Sequence, residues 1–129
     1  MLYLDSSALA KLFAPEAESE ALRAWLAADR GRWITSTLTE VELTRAVARA
    51  KPTALAHVPG VLARCDRLDI DDRVRADAAV LVPPELRTLD SIHLATALEL
   101  ASELEALVTY DKRLAQAAQA AGLTVETPS

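Results

Sequence analysis

Cysteine is nearly absent from this chain, with Cys65 the only one among 129 residues. A lone cysteine closes no internal disulfide, which excludes a disulfide-stapled secreted scaffold. Cys65 lies between Arg64 and Asp66 in a stretch that reads as helical, and it is expected to be an inert packing residue. Glycine is scarce as well, at three residues, so no Gly-rich loop is available to cradle phosphates. Aromatic residues make up only 4%, and the core must come from the abundant Ala and Leu. No stretch approaches the roughly 20 apolar residues of a membrane-spanning helix. The apolar opening Met1-Leu2-Tyr3-Leu4 stops at Asp5 and carries no basic leader. The length suits one core better than two. The expectation is a single domain over residues 1–129, cytoplasmic and without membrane contact.

Positive charge is in deficit too. Fourteen Lys and Arg oppose 19 Asp and Glu, a net −5, whereas nucleic-acid binders usually carry a basic footprint. Four acids gathered in one pocket would leave only −1 of that charge for the rest of the molecule. A bound divalent cation would offset the local excess.

What is present alternates between short apolar strands and helices. Leu2-Tyr3-Leu4, Trp33-Ile34-Thr35, Leu68-Asp69-Ile70, Ala106 to Thr109 and Leu123 to Val125 read as strands. Helices are expected over Glu16 to Asp29, from Ser36 or Thr37 to Ala50, over Thr53 to Arg67 with a break near Pro59-Gly60, and over Asp72 to Leu81. Two more follow, Thr88 to Glu103 and Lys112 to Ala121. The pattern predicts a parallel sheet of four to five short strands, covered on both faces, with ligand sites at the carboxyl ends of its strands.

That rule makes Asp5 and Asp111 informative. Each follows a short apolar strand and precedes a helix, so parallel strands would open both acids onto one sheet edge. Either residue could instead serve as a helix N-cap. Glu42 sits inside a helix with Leu38 and Ala46 four residues to either side, a poorly solvated setting for a carboxylate. Glu40 points about 200° away and reads as the solvated one; pairing of Glu42 with Arg45 or Arg49 is the plainer alternative. Asp90 starts a helix and could be its cap, with Thr88 as a competitor. His93, one turn on, could approach Asp90 or be a hydrogen-bonded core residue. No second His or Cys stands at zinc spacing. Close carboxylates raise one another's pKa, and an all-oxygen donor set suits Mg²⁺ or Mn²⁺.

Four stretches, in this order and spacing, make the chain resemble the PIN-domain nucleases, and among them the VapC-type toxins of toxin–antitoxin pairs. They are Met1-Leu2-Tyr3-Leu4-Asp5-Ser6-Ser7-Ala8-Leu9, Leu38-Thr39-Glu40-Val41-Glu42-Leu43, Leu89 to Ala97, and Val108 to Leu114. The resemblance implies a three-layer α/β/α fold and an acidic pocket of Asp5, Glu42, Asp90 and Asp111 holding Mg²⁺ or Mn²⁺. It also implies endonucleolytic cleavage of RNA by metal-activated water, a cognate antitoxin that blocks the enzyme, and a homodimer. Ser6 takes the place of the family's small hydroxyl residue after the first Asp, where it would hold a ligand or water.

Lys11, Arg45, Arg49, Lys112 and Arg113 are the side chains placed to meet RNA phosphates, although solvated helix surface explains each equally well. The Leu12-Phe13 and Leu22-Trp25-Leu26 groups are either core or a groove for an antitoxin helix. Three other readings compete. A receiver-type signalling domain would need Asp69 or Asp71 as acceptor. A phosphohydrolase with an Asp nucleophile would want a second Asp where Ser7 stands. A catalytically silent binding module is the third.

Overall fold

In the computed structural model, which describes residues 1–28 and 30–129, five strands form one parallel sheet. They are β1 (Leu2–Leu4), β2 (Trp33–Ser36), β3 (Cys65–Leu68), β4 (Ala106–Val108) and β5 (Val125–Glu126), in the order β3-β2-β1-β4-β5. The helices are α1 (Ser6–Ala10), α2 (Ser19–Leu26), α3 (Leu38–Ala50), α4 (Val58–Ala63), α5 (Asp72–Ala79), α6 (Thr88–Glu99) and α7 (Lys112–Ala120), with a 3₁₀ segment at Pro52–His57. The last residue of the expected Glu16 to Asp29 helix lies outside the described residues.

Alternation along the strands divides the core into two layers. Leu2 and Leu4 face one side with Ala106 and Val108, where they meet Leu9, Leu22, Leu43 and Val47. Tyr3 and Leu107 face the other, against Leu94, Leu114 and Ala118. All three residues of β1 are fully buried, as a central strand covered on both faces must be. Phe13, Leu22 and Leu26 are core, and Leu12 and Trp25 are partly buried against it. No helix among the described residues is long and apolar enough to cross a membrane.

The third strand departs from expectation. It runs over Cys65–Leu68, not Leu68-Asp69-Ile70, in register with β2 through Trp33↔Cys65 and Ser36↔Leu68. Its middle residues Asp66 and Arg67 are exposed, and Arg32 ion-pairs with Asp66. An edge strand carrying charged side chains escapes a search for apolar runs. Cys65 thus begins a strand instead of lying in a helix; burial pushes its thiol up to about 11, so it stays protonated.

Topology fixes where a site can form. The chain leaves β1 toward β2 and β3, then returns to place β4 on the opposite side of β1. The crevice between the carboxyl ends of β1 and β4 is the switch point of the sheet.

Candidate active site

Asp5 ends β1 at this switch point and is 3% exposed. It caps α1, its Oδ1 accepting from the Ala8 amide at 2.9 Å. The same oxygen accepts from Ser7 Oγ at 2.7 Å, and Oδ2 accepts from Thr109 Oγ1 at 2.6 Å. Ser7 Oγ in turn accepts the Tyr110 amide at 2.9 Å, and Thr109 Oγ1 accepts that of Asp111 at 3.0 Å. The ends of β1 and β4 are therefore tied through two hydroxyls. The hydroxyl that braces Asp5 belongs to Ser7; Ser6 stands half-buried at the first position of α1. Burial pushes the Asp5 carboxyl up, although nearby His93 and the hydrogen bonds from Thr109, Ser7 and Ala8 pull the other way.

Asp111 caps α7 through Oδ1, which accepts from the Arg113 and Leu114 amides at 2.9 and 3.1 Å. Its Oδ2 turns outward and meets the Arg87 guanidinium. The cap reading and the sheet-edge reading thus describe the same two aspartates.

Asp90 is not a cap. Helix α6 begins at Thr88, its first bond running from the Ser91 amide to the Arg87 carbonyl at 2.9 Å. Asp90 therefore sits within the first turn, and Thr88 is no cap either. With its carboxylate free of capping, Asp90 Oδ2 accepts from Arg87 Nε at 3.0 Å. Burial and the neighbouring Asp111 push the Asp90 carboxyl up against the pull of Arg87 and His93, and the net shift is upward.

Glu42 and Glu40 part ways. Glu40 reaches outward to an exposed ion pair with Arg67 at 2.9 Å. Glu42 Oε1 turns inward to His93 Nε2 at 2.6 Å, and His93 Nδ1 meets the Tyr3 hydroxyl at 2.7 Å. His93 is 2% exposed and turns to Glu42 rather than forming a bond to Asp90. Burial, together with Asp5 and Glu42, holds the Tyr3 phenol well above its ordinary value. The His93 ring thus bridges the Tyr3 hydroxyl on Nδ1 and the Glu42 carboxylate on Nε2.

Four positioning groups, Tyr3, Ser7, Arg87 and Thr109, therefore escaped the sequence reading. The i, i+3 spacing of Arg87 and Asp90 was a usable signal. The reach of Arg87 to Asp111, and of Tyr3 to His93, spans elements far apart in the chain and left none. Among the cations expected at phosphates, Lys11 is held by Glu16 and Glu18 at 2.6 and 2.7 Å and lies over the Tyr110 ring. Arg45, Arg49, Lys112 and Arg113 are exposed.

The donor chemistry suits a hard divalent ion, since Asp5, Asp90, Asp111 and Glu42 offer only oxygen. The Arg87 guanidinium already stands as a positive charge between Asp90 and Asp111. Among the described residues no three His, Cys, Asp or Glu side chains converge on one point as a finished cage. Asp69 follows the edge strand β3 and is exposed, far from the central position a receiver acceptor needs.

A parallel three-layer sheet with its acids at the switch point defines a carboxylate-centred α/β class. Comparison with known proteins places the chain within it. The PIN domain family model matches residues 2–120. The chain is 54% identical to Ribonuclease VapC35 of Mycobacterium tuberculosis over 99% of its length and 97% of that protein's. Against Ribonuclease VapC46 of the same organism the identity is 44%, over 99% and 98%. The chain belongs to the PIN domain family. In structure it resembles VapC20 of Mycobacterium tuberculosis, described as a sarcin-ricin loop cleaving toxin, with TM-score 0.76 at 16% identity and full coverage of both chains. A toxin–antitoxin complex from Klebsiella pneumoniae also gives TM-score 0.76, at 21% identity over 100% and 98%.

Proposed function

We propose that this chain is a metal-dependent endoribonuclease, the toxin of a toxin–antitoxin pair, acting in the cytoplasm as a single nuclease domain. The observation that supports the reading is Asp5 and Asp111 at the switch-point edge, with Asp90 joined to Asp111 through Arg87, in a chain that is 54% identical along its length to a ribonuclease. Asp5, Glu42, Asp90 and Asp111 would hold the ion, Mg²⁺ or Mn²⁺. When bound, it lowers the pKa of water and stabilises charge on a phosphodiester. The residues of the chain divide the remaining work. Thr109 and Ser7 fix both Asp5 oxygens, Tyr3 and His93 orient Glu42, and the α7 amides hold Asp111 by one oxygen so that the other faces outward. Arg45, Arg49, Lys112 and Arg113 are the exposed cations open to RNA phosphates.

A cognate antitoxin would neutralise the enzyme. The groove between α1 and α3, lined by Ala10, Phe13, Ala46 and Val47 with Glu16, Arg49 and Lys51 at its edge, offers an apolar bed with a charged rim. A homodimer is expected with the family, and light scattering on the purified protein checks it. The functional test is direct. Purified protein should cut RNA with Mg²⁺ or Mn²⁺ and stop on addition of EDTA, and Asp5→Asn should abolish cutting while remaining folded. Cleavage in EDTA, or full activity in Asp5→Asn, would sink the reading.

A further inference from the structure

We propose that Arg87 is the site's own counter-cation, which clamps Asp90 and Asp111 in the metal-free protein and competes with the divalent ion for them. The inference rests on the reading of these acids as metal ligands. Three observations carry it. Arg87 ion-pairs with both acids at once, through Nε to Asp90 and NH2 to Asp111, so its planar fork spans two elements, α6 and the start of α7. The two carboxylates are 11% and 19% exposed, whereas the Arg87 side chain is 61% exposed. The guanidinium therefore lies on the solvent side of the pair and can swing out without opening the core. Finally, Arg87 precedes α6 in extended backbone, φ −60 and ψ 145, and makes no capping bond of its own, so helix integrity does not depend on where its side chain points.

The electrostatics favour exchange. Two partly buried carboxylates held to one guanidinium need a positive charge between them. One guanidinium supplies a single charge spread over a plane, while a dication supplies two at a point. The two cations repel each other if they share the pair. Arg87 thus holds Asp90 and Asp111 together, and the cost of its withdrawal sets how much metal the site requires. A merely structural Arg would predict the opposite, because losing it would loosen the ligands and weaken binding.

Binding of Mn²⁺ to the purified chain, followed by calorimetry and by loss of the free-ion paramagnetic resonance signal, separates the two. Arg87→Gln should bind Mn²⁺ about tenfold more tightly than the parent, equivalent to about 1.4 kcal/mol, and should melt at a lower temperature without metal. Arg87→Lys, which keeps charge but not the fork, should fall between. Arg32→Gln removes an equal charge at the opposite, amino-terminal edge of the sheet, beside Asp66, and should leave affinity unchanged. Unchanged or weaker Mn²⁺ binding in Arg87→Gln would overturn the proposal while leaving the metal site standing. A parent chain that binds no Mn²⁺ would overturn both.

Discussion

Asp5 asks one carboxylate to cap a helix and to join two strands. Its ionised form is costly there, because burial outweighs the hydrogen bonds that the hydroxyls and the amide donate to it. Asp90 is pushed the same way, first by burial and then by Asp111. With both carboxyls above the ordinary aspartate value near 3.9, the folded metal-free chain binds more protons than the unfolded one. Their contribution to stability is therefore fullest below that pH and is lost as pH rises through the raised folded values. The difference in melting temperature between the parent and Asp5→Asn in EDTA should shift in favour of Asn as pH climbs from about 4, and saturating Mn²⁺ should reverse the order. Tyr3 offers a second test at this scale. Tyr3→Phe keeps the ring in the core but strands His93 Nδ1, which should cost about 1–3 kcal/mol in denaturant unfolding.

At the scale of elements, α3 separates two acids that its sequence leaves two residues apart. Glu40→Gln breaks only an exposed pair with Arg67, so stability should move by less than about 0.5 kcal/mol and RNA cleavage should persist. Glu42→Gln should lose at least about 100-fold in cleavage rate, since even partners one step removed from a metal are typically worth 10–100-fold. The apolar neighbours Leu38 and Ala46 mark the side of α3 from which Glu42 turns inward to His93. The strands β1 and β4 were legible in the sequence, because both are buried and followed by a capping Asp. The start of α6 was not: Asp90 resembles a cap in sequence, and only the bond from Ser91 to Arg87 shows that the helix begins earlier. Charged Asp66 and Arg67 hid β3 at its edge. Arg87 could be paired with Asp90 by spacing, but its second partner is 24 residues away and depends on how α6 meets α7.

For the whole molecule, metal and fold should be linked. A ligand that binds only the folded chain stabilises it by about 2.7 kcal/mol at a hundred times its dissociation constant. Thermal unfolding should therefore move upward with Mn²⁺ in the parent and much less in Asp90→Asn, and an identical response in both would count against Asp90 as a ligand.

The central position of β1 has a consequence for synthesis. Asp5 is made before its Thr109 brace, which comes 104 residues later, because chains grow from the amino end. A nascent chain long enough to display β1, β2 and α3 still lacks β4, α7 and half of the acidic edge. The acidic edge is thus completed only once β4 and the start of α7 have followed β1, so the site assembles late relative to the strand that carries Asp5.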